Sequence, residues 1–521
     1  MFPEHTCIFK HALTQEVAYS SLLLQHRKEL HCLVAAAMEE LYANRLPDFY
    51  GLLGYHYQRG EEWERALDYL QRAAQRCREI GAYLEEALQL GRAMAVAQRL
   101  GQAPVLAELR GQRGTAWVKC GKWAEAKPDL ETALAELPPE DLGRRAELLS
   151  SLAAACFWAL DIPGMQRHAT EGHALAEKAG RDDLIAALLG WLGASQQTLG
   201  DLGLATELYE RALAQGSGFC SAGLAGYPLT LYLRGRNAEA LDLARESAQN
   251  FRSLSDTFAA TFGHPHLGLA LAACGRYTEA ASVFEEARQL GRKHEVWAFH
   301  ARSIAMSAGF HLDVFDFKGN EKLAEEAREQ ARLARFQPSV VSASLDLVFN
   351  FSRRGEIGRA ERLVEETAAA AATTGGWHQW LWQLRLRQAR AELACARRDW
   401  AGALEATLAA ISESQARGRT KYVVMGLETR ARAMAALGRH EESICDARSA
   451  VQLARPMGDP ALFLRAATTL LALDGDDLLL SETRMTAGRI LAELPDAEMR
   501  HQFETAEPVR LLAPLPSIRA A

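Results

Sequence analysis

Two histidines stand close together in the stretch "GHPH", where His264 and His266 flank Pro265. Paired imidazoles can hold a divalent metal, but a stable site takes further protein ligands, and none is near in sequence. The stretch therefore predicts a turn or a helix start. His11, His31 and His56 fall at helix-face positions and predict packing or surface roles. A phosphate loop needs G-x-x-x-x-G-K followed by Ser or Thr, so that backbone N–H groups cradle the phosphates and the hydroxyl reaches Mg²⁺. The Gly-Lys pair of this chain, Gly121-Lys122, is followed by Trp123, and the Gly-rich stretch 216–228 has neither a Lys nor a strand before it. His440-Glu441 continues as Glu442-Ser443-Ile444, which is not the H-E-x-x-H of a metalloprotease. No G-x-S-x-G nucleophile elbow occurs. The sequence thus predicts no catalytic, cofactor-binding or metal-ligating residues. One cluster remains as binding surface: "WHQWLW" gathers Trp377, Trp380 and Trp382, either as core between helices or as an aromatic ledge beside a peptide groove.

The composition sets limits on what such a surface meets. The 521 residues are 49% hydrophobic and 24% charged, with a formal net charge of −7. An acidic balance argues against a nucleic-acid-binding surface, which would be basic. No apolar run approaches the roughly 18–20 residues that span a bilayer, and no basic-then-apolar leader opens the chain. The expected location is the cytoplasm. Nine cysteines are scattered without a C-x-x-C pair, which predicts small buried apolar residues of a reduced protein rather than a disulfide framework.

The elements that would position any surface come from a repeat. A turn recurs as "GKWAEA" (121–126), "GDLGLA" (200–205), "GRYTEA" (275–280) and "GEIGRA" (355–360), with looser copies such as "GEEWERA" (60–66), "GRNAEA" (235–240), "RDWAGA" (398–403) and "GRHEES" (438–443). A larger residue follows at Leu70, Leu130, Tyr209 or Phe284, and a small one beyond it at Ala73, Ala133, Ala212 or Ala287. Another small residue precedes the turn, at Gly114, Gly193, Gly268, Ala391 or Ala431. Positions i, i+4 and i+7 share one helical face. Small residues there let two helix backbones approach, and the larger one fills the groove beside them. Each unit is therefore a helical hairpin that buries its face only by stacking on its neighbours.

These positions resemble the tetratricopeptide repeat, and the resemblance covers residues 47–472. It implies an all-α fold: a tetratricopeptide-like right-handed superhelix of antiparallel helix pairs, an α-solenoid. The turn alanines 205, 240, 280, 360, 403 and 443 are more widely spaced than the ~34 residues usual for the family, which predicts longer helices or loops. "DIPGM" (161–165) and "GNEKLA" (319–324) look like degenerate units. In such arrays the first helix of each pair lines the concave face. The resemblance places Arg385, Gln388, Glu392, Glu428 and Arg432 there, as protein-binding positions. Their i, i+3, i+7 and i, i+4 spacings put each set on one helical face; a solvated charged face is the other reading.

The first segment is different. "FKHALTQEVAYSSLL" (9–23), followed by "RKELHCLVAAAME" (27–39), resembles the junction in large bacterial signalling ATPases where an NTPase module and a winged-helix-like subdomain lead into a tetratricopeptide array. Many of these carry a class III adenylate or guanylate cyclase domain upstream; others end in a LuxR-type DNA-binding domain. Residues 426–477 and "AEPVRLLAP" resemble the C-terminal ends of the cyclase-linked proteins. The resemblance implies that 1–46 is the end of a winged-helix-like subdomain, with a strand at Thr6–Phe9 and helices at 15–24 and 27–42, the first capped by Thr14. Residues 47–472 are then the array and 473–521 a helical cap and tail. The chain would be the C-terminal portion of a longer architecture. The function expected is a non-catalytic interaction scaffold for protein or peptide, with an upstream NTPase module as a partner and neither nucleic acid nor membrane. The alternatives are part of a cyclase whose catalytic domain is elsewhere, or of a LuxR-type regulator.

Overall fold

The computed structural model describes residues 12–216, 218–253, 256–374 and 376–512. They are helical throughout, with no strand among the described residues, and run as antiparallel helix pairs of the tetratricopeptide-like α-solenoid type. The strand expected at Thr6–Phe9 lies outside the described residues. The chain forms two compact units, residues 1–141 and 142–521.

In the first unit the described helices begin with Ala12–Ser21 and Leu24–Leu41. Thr14 lies inside the former, so it is not the N-cap expected of it. The core gathers Leu53, Tyr57, Ala66, Leu70, Leu90 and Ala93. Helix Leu24–Leu41 turns His31, Ala35 and Met38 inward. Its other apolar face stays exposed at Leu30, Leu33, Val34 and Leu41, as do Val17, Leu22 and Leu23 before it.

The second unit keeps a strict cadence. Helices Tyr277–Lys293, Trp297–Asp313, Phe317–Leu333 and Gln337–Arg353 are each 17 residues long. Positive φ falls at Gly275, Glu295, Phe315, Arg335 and Gly355, one turn every twenty residues. A pair therefore spans about forty residues, which accounts for the wide spacing of the turn alanines. Left-handed geometry ends a helix and returns its last N–H groups to earlier carbonyls. Aspartates open several of the next helices: Asp256, Asp316, Asp399 and Asp459 each accept the N–H three residues on.

The small-large register holds as expected. Ala126, Ala205, Ala280 and Ala403 are fully buried, as is Ser443. A Cβ placed on Gly114, Gly193 or Gly268 would meet Leu130, Tyr209 or Phe284 at 2.6, 2.9 or 2.7 Å, so these side chains occupy the space that glycine leaves. "GNEKLA" sits in a regular helix, with Ala324 fully buried at its turn position.

Two further expectations fail. His264 and His266 are neither in a turn nor at a helix start; both lie inside helix Thr257–Ala273, with Pro265 between them. Proline removes one intrahelical hydrogen bond there, but the helix is buried on nearly all sides and packing holds it. The cysteines are free thiols among the described residues, yet only Cys156 and Cys395 are fully buried, and Cys445 is exposed.

Candidate functional site

Alternate helices of the second unit differ in how much they bury. Gln337–Arg353 buries fourteen of its 17 residues, Phe317–Leu333 only five of 17. A helix that is covered all round lies inside; one with a single stripe faces solvent. The inner series runs Thr257–Ala273, Trp297–Asp313, Gln337–Arg353, Gln379–Ala396, Thr420–Ala436 and Pro460–Leu473.

The inner face is closed because the array returns on itself. Trp380 Nε1 donates to Gln197 O at 3.1 Å, and Arg417 to Leu199 O at 3.3 Å. Arg419 donates to Tyr232 O and Leu233 O at 3.2 and 2.9 Å, where helix Tyr227–Arg234 ends. Asn237 Nδ2 donates to Met457 O at 2.9 Å, and Thr278 Oγ1 to Glu493 O at 2.7 Å. These partners lie 183 to 220 residues apart, so one superhelical turn takes about five pairs and successive turns touch. Between the inner helices lies a cavity of about 170 Å³, lined on its aromatic side by Phe336, Trp377 and Trp382.

Ion pairs join neighbouring and more distant inner helices, some on the cavity wall and others behind it. Arg385 pairs with Asp346 at 2.5 Å and donates to Ser342. Arg353 and Arg465 both reach Glu392 at 2.8 Å. Arg465 also holds Glu428 at 2.7 Å, which accepts from Thr469 as well. Lys421 crosses to Asp313 at 2.6 Å. Burial alone would push the Glu392 and Glu428 carboxyls up, but the guanidinium groups of Arg353 and Arg465 at the first and of Arg465 and Arg432 at the second hold them below the usual range. Burial pushes Asp346 up to about 6 against the pull of Arg385, and Asp459 up to about 6 against that of Lys421.

All five residues expected on the concave face thus belong to inner helices, but they are not equivalent. Gln388 is fully buried and donates to Thr429 Oγ1 at 2.9 Å. Glu392 and Glu428 are buried in the ion network, and Arg385 lines the cavity. Arg432 is the open one, with half of its side chain in solvent and a long 3.5 Å pair to Glu428. The tryptophan cluster divides. Trp380 packs against Leu202, Leu229 and Leu233 as core across the turn, while Trp377 and Trp382 form the aromatic wall. Arg302, Arg353 and Arg465 were missed. For two of them a signal existed: Arg353, Glu392, Glu428 and Arg465 follow one another at intervals of 39, 36 and 37 residues, close to one repeat.

One solved structure shares the fold at a TM-score above 0.5. A Rap protein complexed with competence and sporulation factor aligns with a TM-score of 0.53 at 11% identity, covering 68% of this chain and 99% of that one. The anaphase-promoting-complex hetero-tetramer Cut9-Hcn1 aligns at TM-score 0.43 and 13% identity, over 94% of this chain and 95% of that one. Yeast Tom70 aligns at 0.31 and 14%, over 91% and 96%. No protein-family model matches the sequence, and no curated protein matches it. Among the described residues no helix is long and apolar enough to cross a membrane, and no cluster of three His, Cys, Asp or Glu is placed to hold a metal ion.

Proposed function

We propose that this chain is a non-catalytic scaffold that binds protein or peptide inside its helical array. Its context is the repeat region of an ATPase- or nucleotide-cyclase-type bacterial signalling regulator in the cytoplasm. The observation that carries the binding reading is the lumen of the second unit. A merely solvated face would leave its charges in water. Here Arg385 is locked to Asp346 on the wall of an aromatic-lined space, and Arg353 on the same wall is locked to Glu392 behind it. Side chains fixed before binding lose little freedom on binding, which favours a recognition surface. The Rap protein complexed with competence and sporulation factor supports binding by an array of this fold.

The signalling context rests on the resemblance of residues 9–39 to the ATPase junction and on the exposed apolar face of helix Leu24–Leu41, which suits an NTPase module as partner. In that reading 1–46 closes a winged-helix-like subdomain, 47–472 is the array, and 473–521 caps it. Catalysis belongs to upstream modules, and the chain itself takes no cofactor. The test is a displayed random-peptide library panned against the whole chain. Enriched peptides are expected to compete for one site and to lose binding when Ala305→Phe fills the cavity. Peptides that bind the filled variant unchanged would place recognition elsewhere and end this reading.

A further inference from the structure

Arg302 is a cation buried on an inner helix without a counter-charge. It is 6% exposed and lines the cavity. Its guanidinium donates to Phe262 O at 3.2 Å and to His266 Nε2 at 2.5 Å. His266 Nδ1 lies 2.7 Å from Ala225 O, so that nitrogen carries the proton and Nε2 accepts. The imidazole is therefore neutral and brings no charge to the guanidinium. The guanidinium also stands over the Phe262 ring at 4.9 Å, and no ion pair joins it to a carboxylate among the described residues. Every other cation on the cavity wall is compensated: Arg353 by Glu392, Arg385 by Asp346, Lys421 by Asp313, and Arg419 by the carbonyl end of helix Tyr227–Arg234. Beside Arg302 stand His378 and Trp377, whose Nδ1 and Nε1 have no hydrogen-bond partner although both residues are buried.

We propose that the cavity binds a monoanionic carboxylate carried on a single aromatic or similarly sized apolar group, with Arg302 as its counter-ion. This deepens the scaffold reading and rests on it. The charge requirement follows from desolvation: an ion buried alone is costly, and a ligand carboxylate removes that cost. A guanidinium fork matches a carboxylate in two parallel hydrogen bonds. A single charge fits better than a doubly charged phosphate, because the other cations of the wall already have partners and Arg302 alone is left to meet an anion. The size follows from the volume. A cavity of about 150 Å³ takes a benzene-sized group, and this one measures about 170 Å³. Phe336, Trp377 and Trp382 supply the flat apolar surface. Burial lowers Arg302 to about 9, in keeping with a cation that no carboxylate of the described residues faces.

The carboxylate can come from a free aromatic acid or from the C-terminal residue of a peptide. Calorimetric titration of the whole chain separates them. The probes are 3-phenylpropionate and its amide, and a pentapeptide ending in phenylalanine with a free or an amidated C-terminus. The expected result is saturable one-site binding of an acid form, with the matching amide roughly tenfold weaker or more. Binding of the small acid alone assigns a free ligand; binding of the free-carboxylate peptide assigns a chain terminus. Arg302→Met is expected to abolish the preference for acid over amide without lowering the thermal midpoint, since it removes an uncompensated charge. Arg302→Lys keeps the charge and should retain a weakened preference. Equal binding of acid and amide, binding of neither, or an unchanged preference in Arg302→Met overturns the proposal. The acid–amide pairs on the unaltered protein decide it even if a variant fails to fold. A chain that still enriches cavity-dependent library peptides, yet shows no acid preference, loses this inference and keeps the scaffold reading.

Discussion

At the scale of single residues, the turns and the buried ions each carry a cost that can be measured. Arg335 adopts φ 53° at the place where Gly355 does the same work one turn later. It is exposed. Left-handed geometry costs a non-glycine residue roughly 1–2 kcal/mol, partly offset by the greater unfolded-state freedom of glycine. Arg335→Gly is therefore expected to stabilise the second unit by about 0.5–1 kcal/mol; a lower denaturation midpoint would contradict it. Glu392 is the opposite case, a buried carboxylate held ionised by Arg353 and Arg465. Its folded-state pKa lies below the unfolded value near 4.5. Its contribution is thus fully present above that value and is lost as pH falls below it. Glu392→Gln should cost about 3–5 kcal/mol at neutral pH, because two buried guanidinium groups lose a partner. It should also flatten the acid limb of the stability curve below pH ~4.5. An acid limb identical to that of the unaltered protein would show that the network does not set it.

At the scale of helices, close packing is specified by volume. A Cβ on Gly268 would stand 2.7 Å from the Phe284 ring, and Ala280 has no exposed surface. Gly268→Leu or Ala280→Leu should overpack this contact and cost about 1–3 kcal/mol; an unchanged midpoint would mean that these helices are not held by it. This register was legible in the sequence because size at fixed helical positions determines whether two backbones can approach. The twenty-residue cadence was not, because three consecutive turns between Gly275 and Gly355 lack glycine, and Glu295, Phe315 and Arg335 take the same geometry against their preference. The "GHPH" stretch misled for a related reason. Proline ordinarily stops a helix, but one so fully enclosed tolerates the lost hydrogen bond. Arg385, Gln388 and Glu392 lie on helix Gln379–Ala396, and Glu428 and Arg432 on Thr420–Ala436. What they touch depends on the superhelical pitch, which brings Arg465 to Glu392 across 73 residues. Arg302 left no trace at all: a lone charge in "WAFHARSIAMSAGF" gives no sign of which cavity it meets.

At the scale of the whole second unit, the contacts between successive turns change what kind of object the solenoid is. An open repeat array is stabilised by nearest neighbours, so damage stays local. Here Trp380 bridges to Gln197 O and packs on Leu202, Leu229 and Leu233, helices that lie far back in the chain. Such contacts couple distant repeats and close the lumen. Trp380→Ala removes both the ring and its hydrogen bond, with an expected cost of about 3–5 kcal/mol. The location of the effect is more telling than its size. Hydrogen exchange should accelerate in helices Leu202–Leu213 and Tyr227–Arg234, although they precede the mutated residue by well over a hundred positions. If acceleration is confined to the neighbours of Gln379–Ala396, the turns merely touch, and the second unit behaves as an open array. If it appears in both places, closure is part of what keeps the inner helices and their ion network in register, and any ligand of the lumen must enter against that restraint.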